Sequence, residues 1–118
     1  MSLDSFMNRD KKKGNPSYRR SRKQEREIAG RLGGRTTAAS GSKDEKGDVR
    51  VKGIMRIEAK TTKHKSFSVT LDMVRQIEEA ALVSGEMPVI AIEFINSQGV
   101  PIKEVCVCPS YVLQELLK

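Results

Sequence analysis

Asp48, Glu58 and Lys60 fall within the run Gly47-Asp48-Val49-Arg50-Val51-Lys52-Gly53-Ile54-Met55-Arg56-Ile57-Glu58-Ala59-Lys60. Two carboxylates and one ammonium at this spacing suit a hard divalent cation with a lysine at its edge. The run reads as two short strands joined at Lys52-Gly53. Side chains alternate along a strand, so Arg56, Glu58 and Lys60 share one face while Met55, Ile57 and Ala59 share the other. If Val49 and Val51 enter the same core as Ile57, Asp48 emerges beside the charged row. The alternative is an amphipathic hairpin whose charged face meets only water.

A hairpin presents such a row only if other elements hold its apolar side. Residues 1–20 contain Lys11-Lys12-Lys13, Gly14 and Pro16 with almost no apolar periodicity, which predicts a flexible basic arm. Residues 21–118 are then a single domain. Helical spacing runs from Ser21 to Leu32 and stops at Gly33-Gly34. Residues 35–46 read as a polar loop before the hairpin. A strand-like stretch follows at Phe67 to Val69, then a helix capped by Thr70, carrying Met73, Val74, Ile77, Ala80 and Ala81 at helical spacing and closed by Gly85. Pro88 to Phe94 reads as a strongly apolar strand, Asn96-Ser97-Gln98-Gly99 as a turn, and Val100 to Cys108 as a returning strand. Pro109-Ser110 opens a last short helix through Leu117. This order predicts an α/β fold with a central mixed sheet flanked by helices.

The first helix adds a third carboxylate. At about 100° per residue, Ile28, Ala29 and Leu32 lie about 60°, 40° and 20° from Glu25 around the helix. Glu25 therefore sits within the apolar stripe, whereas Glu27 lies on the opposite side beside Arg31. A carboxylate facing a core needs a cation or hydrogen-bond donors. A metal held by Asp48 and Glu58 would meet that need, and so would a salt bridge to Lys60.

The net charge of +7 is concentrated at one end. Residues 1–35 hold eleven Lys and Arg against four Asp and Glu, and residues 36–118 hold eleven against eleven. A concentrated basic segment favours a polyanion, of which nucleic acid is the commonest in a cytoplasm. Cys106 and Cys108 are the only cysteines and His64 the only histidine, so a four-ligand Cys/His zinc site is excluded. The two thiols read as reduced and structural, which fits a cytoplasmic protein. No apolar run approaches the roughly 18 residues of a membrane span, and the basic N-terminus lacks the apolar core of a secretory signal. Phe6, Tyr18, Phe67, Phe94 and Tyr111 form no run with basic neighbours, which disfavours a single-strand reader built on base stacking.

Taken in order, Arg22-Lys23-Gln24-Glu25-Arg26-Glu27-Ile28 opening a helix, Ser40-Gly41-Ser42 before Asp48, Ile57-Glu58-Ala59-Lys60 on a strand, Asp72-Met73 at a helix start and Met87-Pro88-Val89-Ile90-Ala91-Ile92 resemble one known group. The set, from about Ser21 to about Val105, is similar to the archaeal-type Holliday junction resolvases, also found in phages, of the PD-(D/E)XK nuclease superfamily. The resemblance implies a restriction-endonuclease-like fold and a structure-selective, metal-dependent endonuclease that resolves four-way DNA junctions. By it, Glu25 matches the helix glutamate, Asp48 the metal-binding aspartate, and Glu58 and Lys60 the Glu-X-Lys pair. Ser42, or alternatively Ser40, matches the loop serine that positions DNA or nucleophile. Gly47 stands where the superfamily's name has proline, and the loop from Ser42 to Asp48 is longer than usual.

The chemistry implied is phosphodiester hydrolysis. Asp48, Glu58 and the Ala59 carbonyl would ligate magnesium, with manganese able to substitute, since all-oxygen ligation favours these ions over zinc. Glu25 would reach the metal through a water or hold Lys60, and Lys60 would orient the water or offset transition-state charge. Arg19, Arg20, Arg22, Lys23, Arg35, Lys43, Lys63 and Lys65 are the candidates for phosphate contacts, which are salt-sensitive and sequence-blind. The expected partner is branched double-stranded DNA, met by a two-fold homodimer that matches the symmetry of a junction, with no membrane and no small-molecule substrate. The dimer surface would come from Pro88–Phe94 and Tyr111–Leu117, unless these are ordinary core. Other members of the superfamily cut flaps, nicks or duplex DNA, and a non-catalytic DNA-binding module is the alternative from outside it. The location expected is the cytoplasm, that of the host if the protein is phage-encoded.

Overall fold

The computed structural model describes residues 16–37 and 48–118. In chain order the elements are α1 (Pro16–Leu32), β1 (Arg35–Thr36), β2 (Val49–Val51), β3 (Met55–Thr62), α2 (Leu71–Val83), β4 (Met87–Ile95), β5 (Pro101–Val107) and α3 (Ser110–Leu116). The strands form one sheet in the order β1-β2-β3-β4-β5. All neighbours are antiparallel except β3 and β4, which run parallel with Ile57 opposite Val89 and Ala59 opposite Ala91. The result is an α/β fold with a mixed five-stranded sheet flanked by helices.

The parallel pair needs a crossover, and α2 supplies it. Thr70 caps α2, its hydroxyl accepting from the Met73 N–H at 3.2 Å, and Gly85 reverses the chain at φ +69°. Alternation along β3 and β4 then divides the apolar side chains between two faces. On one, Val49, Ile57, Ala59, Val89 and Ala91 pack against Ile28 and Ala29 of α1. On the other, Ile90 and Ile92 pack against Ile77 of α2, with Phe67, Met73, Val74, Phe94 and Val107 around them.

Several expectations need correction. The first helix starts at Pro16 rather than Ser21; proline suits the first helical position, and Arg20 ties this end to β4 through Glu93. Arg35 and Thr36, expected in a loop, pair with Arg50 and Val49 as an outer strand. Gly34 permits this approach, because a Cβ there would lie 2.6 Å from the Arg50 carbonyl oxygen. Phe67 to Val69 is not a strand. Both edges of β3 are already taken by β2 and β4, so this segment carries the chain over to α2 and lends Phe67 to the core on that face. Pro88 to Ile92 are all buried within β4, so that strand is core and offers no surface for a partner. Leu113, Leu116 and Leu117, by contrast, are exposed.

Candidate active site

The β2–β3 hairpin turns at Gly53, whose φ of +77° suits glycine. Val49 pairs with Ile57 and is wholly buried, which puts Asp48, one residue earlier, opposite Glu58. The ladder ends here. The Asp48 N–H still donates to the Ile57 carbonyl at 2.8 Å, but the Ala59 N–H donates to Asp48 Oδ2, also at 2.8 Å. The carboxylate has replaced the next backbone acceptor. It is thereby fixed at the point where β2 and β3 part, and its second oxygen is left for other work.

Glu58 and Lys60 lie on the α2 side of β3, because Ile57 and Ala59 belong to the α1 side. Lys60 Nζ stands 3.3 Å from Glu58 Oε1. Both side chains are part-exposed, so the pair opens to solvent. Glu25 approaches from α1 and is 7% exposed. Its nearest cation is Arg22, loosely paired at 4.0 Å.

Electrostatics tie the three carboxyls together. Burial pushes the Glu25 carboxyl up to about 7, and the charges of Asp48 and Glu58 push the same way, while Arg22 and Arg26 oppose. Burial also raises Asp48, against the Ala59 N–H and the charge of Lys60. Glu58 is raised by burial and then by Asp48, with Lys60 opposing. Three acidic groups from three separate segments thus act on one another, with Lys60, Arg22 and Arg26 partly offsetting their charge. Like carboxyls held together resist joint ionisation, and a divalent cation relieves that directly.

The donor set fits such an ion. Asp48, Glu58 and the Ala59 carbonyl offer oxygen only, the preference of magnesium and manganese. Among the described residues no three His, Cys, Asp or Glu side chains close into a group that would hold an ion unaided.

A second charged cluster steadies the hairpin. Glu86 is buried and receives Arg50 Nε at 2.7 Å, Arg56 Nε at 2.9 Å and the Gly53 N–H at 2.9 Å. Its carboxyl is raised by burial, but these three donors outweigh that and leave it below the usual range. The cluster joins the hairpin turn to the start of β4, so the strand carrying Glu58 cannot shift against its neighbour without breaking it.

Compared with known proteins, the chain matches no family model, no curated protein and no solved structure.

The structure brings Glu25, Asp48, Glu58, Ala59 and Lys60 together at one end of the β2–β3 pair. Ser42, its alternative Ser40 and Lys43 lie outside the described residues. Lys60 pairs with Glu58, so the salt bridge to Glu25 considered from sequence does not form. Arg56, expected in the open charged row, is 1% exposed and bound to Glu86. Arg20 is the other correction. It is buried, with Nη2 2.7 Å from Glu93 Oε2 and 2.6 Å from Glu27 Oε2, and is committed inside the fold rather than offered to a phosphate. Glu27, placed from sequence on the opposite side of the helix beside Arg31, holds Arg20 and is lowered by that hydrogen bond.

Arg22 is part-exposed, and Lys23, Arg35, Lys63 and Lys65 are exposed. Lys63 and Lys65 follow β3 directly and so leave the sheet from the same strand as Lys60. Arg19 stands in the first turn of α1, its side chain outside the described part. The structural acids Glu86 and Glu93 were missed in the sequence. Glu93 had a signal, as the one charge inside the apolar strand Met87–Ile95: a buried carboxylate there demanded a cation from another element.

Proposed function

We propose that the chain is a metal-dependent DNA endonuclease with a restriction-endonuclease-like fold, selective for branched structure and acting on four-way junctions. One observation carries this reading. Glu25, Asp48 and Glu58 come from a helix, a strand entry and a strand, yet the charges of Asp48 and Glu58 both act on the buried Glu25 carboxyl, and Lys60 stands 3.3 Å from Glu58. A merely solvated charged face would have left Glu25 out of it.

The roles follow from position. Asp48 and Glu58 would hold magnesium or manganese, with the Ala59 carbonyl beside them. When bound, such an ion supplies a polarised phosphate and a water that ionises near neutral pH. Asp48 is oriented for this by the Ala59 N–H, which locks one of its oxygens. Lys60, held by Glu58 at the open side, offsets charge on the phosphate as bonds rearrange. Glu25 stands behind the pair and orders water towards it. Lys23, Lys63 and Lys65 contact backbone phosphates, and such contacts read shape rather than sequence. The concentration of basic residues before position 36 extends that contact. The exposed leucines of α3 suit a two-fold dimer, which would give a junction two equivalent sites. A cytoplasmic setting fits this work, and no helix among the described residues is long and apolar enough to cross a membrane.

A panel of labelled substrates tests the reading. Paired symmetric nicks across a fixed four-way junction, with intact duplex left uncut, are the expected result. Preferential cutting of flaps or plain duplex would keep the chemistry and overturn the choice of substrate. Junction binding with no cutting in magnesium or manganese would overturn the enzyme.

A further inference from the structure

Gln24 is wholly buried, 0% exposed, one residue before Glu25. Its side chain reaches three strands beneath α1. Oε1 accepts from Thr61 Oγ1 of β3 at 3.0 Å, while Nε2 donates to Glu104 Oε2 of β5 at 3.0 Å and towards the Ala91 carbonyl of β4 at 3.4 Å. Arg20, four residues earlier on the same helix face, is bonded to Glu93 of β4.

These directional contacts contrast with the rest of the interface. Below them α1 meets the sheet through Ile28 and Ala29, whose apolar contact is non-directional, and through Arg31, whose Nη2 donates to Glu104 Oε1 at 2.7 Å from an exposed side chain. The buried directional contacts that fix how the helix is rolled about its axis are those of Gln24 and Arg20. Roll matters for Glu25. A turn of about 20° moves a group about 6 Å from the axis sideways by about 2 Å. That is most of the roughly 2.8 Å length of a hydrogen bond between oxygens, enough to lose a water held between Glu25 and the pair.

We propose that Gln24 is the positioning residue for Glu25: its hydrogen bonds to three strands set the roll of α1 and hold the Glu25 carboxyl against the Asp48–Glu58 pair. The proposal rests on the reading of that pair as a divalent-ion site and adds the device that aligns its outer carboxylate.

The test is Mn2+ affinity, measured by calorimetry on the full chain, for wild type, Gln24→Leu, Glu25→Gln and the double variant. Each single substitution is expected to weaken binding about tenfold, the usual scale for groups that orient a metal site from outside. The double variant should be no weaker than Glu25→Gln alone, because Gln24 acts only through Glu25. Thr61→Val removes one of the bonds with little change of shape. It should shift affinity in the same direction by a smaller factor, and decides the matter if Gln24→Leu does not fold. Unaltered affinity in Gln24→Leu and Thr61→Val overturns the proposal, as do effects of Gln24→Leu and Glu25→Gln that multiply. Failure of the wild-type chain to bind Mn2+ overturns the ion reading instead. Metal-free crystal structures of the same variants then judge positioning by itself: Glu25 displaced from Asp48 and Glu58 supports it, and Glu25 in its original place overturns it.

Discussion

Removing the Glu25 charge should stabilise the metal-free protein, and by an amount that grows with pH. The carboxyl is almost fully buried and is pushed up to about 7 from an ordinary 4.5, by burial first and by Asp48 and Glu58 after it. Because the folded value lies above the unfolded one, the contribution to stability is complete only below the unfolded value. It is lost as pH rises through the folded value. Each unit of difference is worth about 1.4 kcal/mol. An ionised Glu25 therefore costs the fold under about 1 kcal/mol at pH 5, about 2 at pH 6 and about 3 at pH 8. Glu25→Gln keeps the shape and cannot ionise. Urea unfolding in EDTA, followed by circular dichroism at these three pH values, should show the variant's advantage widening in that sequence. Added magnesium should narrow it at pH 8, since a cation in the site favours the ionised carboxyl. A stability difference that stays flat from pH 5 to pH 8 would refute the burial of the Glu25 carboxyl beside Asp48 and Glu58, from which the magnitude is worked.

Three further outcomes follow from named contacts. Glu86→Ala removes the buried carboxylate that Arg50 and Arg56 both meet through Nε and should cost about 3–5 kcal/mol in urea unfolding; a loss below about 1 kcal/mol, the range of exposed pairs, would contradict the role given to this cluster. Gly34→Ala places a methyl 2.6 Å from the Arg50 carbonyl oxygen and should destabilise by about 1–3 kcal/mol through overcrowding, read as a lower urea midpoint. Lys63→Ala with Lys65→Ala should reduce the slope of log affinity against log salt by about 0.9 for each phosphate contact removed, with little change in stability; an unchanged slope would take these lysines out of the DNA surface.

The sequence made the hairpin legible because its signals were local. Alternation assigned Glu58 and Lys60 to one face of β3, the spacing of Ile28, Ala29 and Leu32 turned Glu25 inward, and Gly53 marked the turn. The charged core was much harder to read, because its partners are far apart in the chain. Arg56 looked like one more solvated residue until Glu86, thirty positions later, accepted its Nε. Arg20 likewise looked like a phosphate contact until β4 brought Glu93 beneath it. Phe67 to Val69 had the composition of a strand, yet Phe67 goes to the core beside α2, and composition does not separate an apolar residue packed from a connection from one in a ladder. Gln24 gave no signal at all, since a polar residue on a helix declares its burial only when the sheet below it is known.

The most direct trial of the site is single-turnover nicking of a fixed four-way junction by wild type and by Asp48→Asn, each with magnesium and with EDTA, alongside a binding assay on the same DNA. Wild type should nick only with magnesium, and Asp48→Asn should bind the junction about as well while cutting nothing. Cleavage that survives in EDTA, or in Asp48→Asn, would contradict an ion-holding pocket built on Asp48 and Glu58.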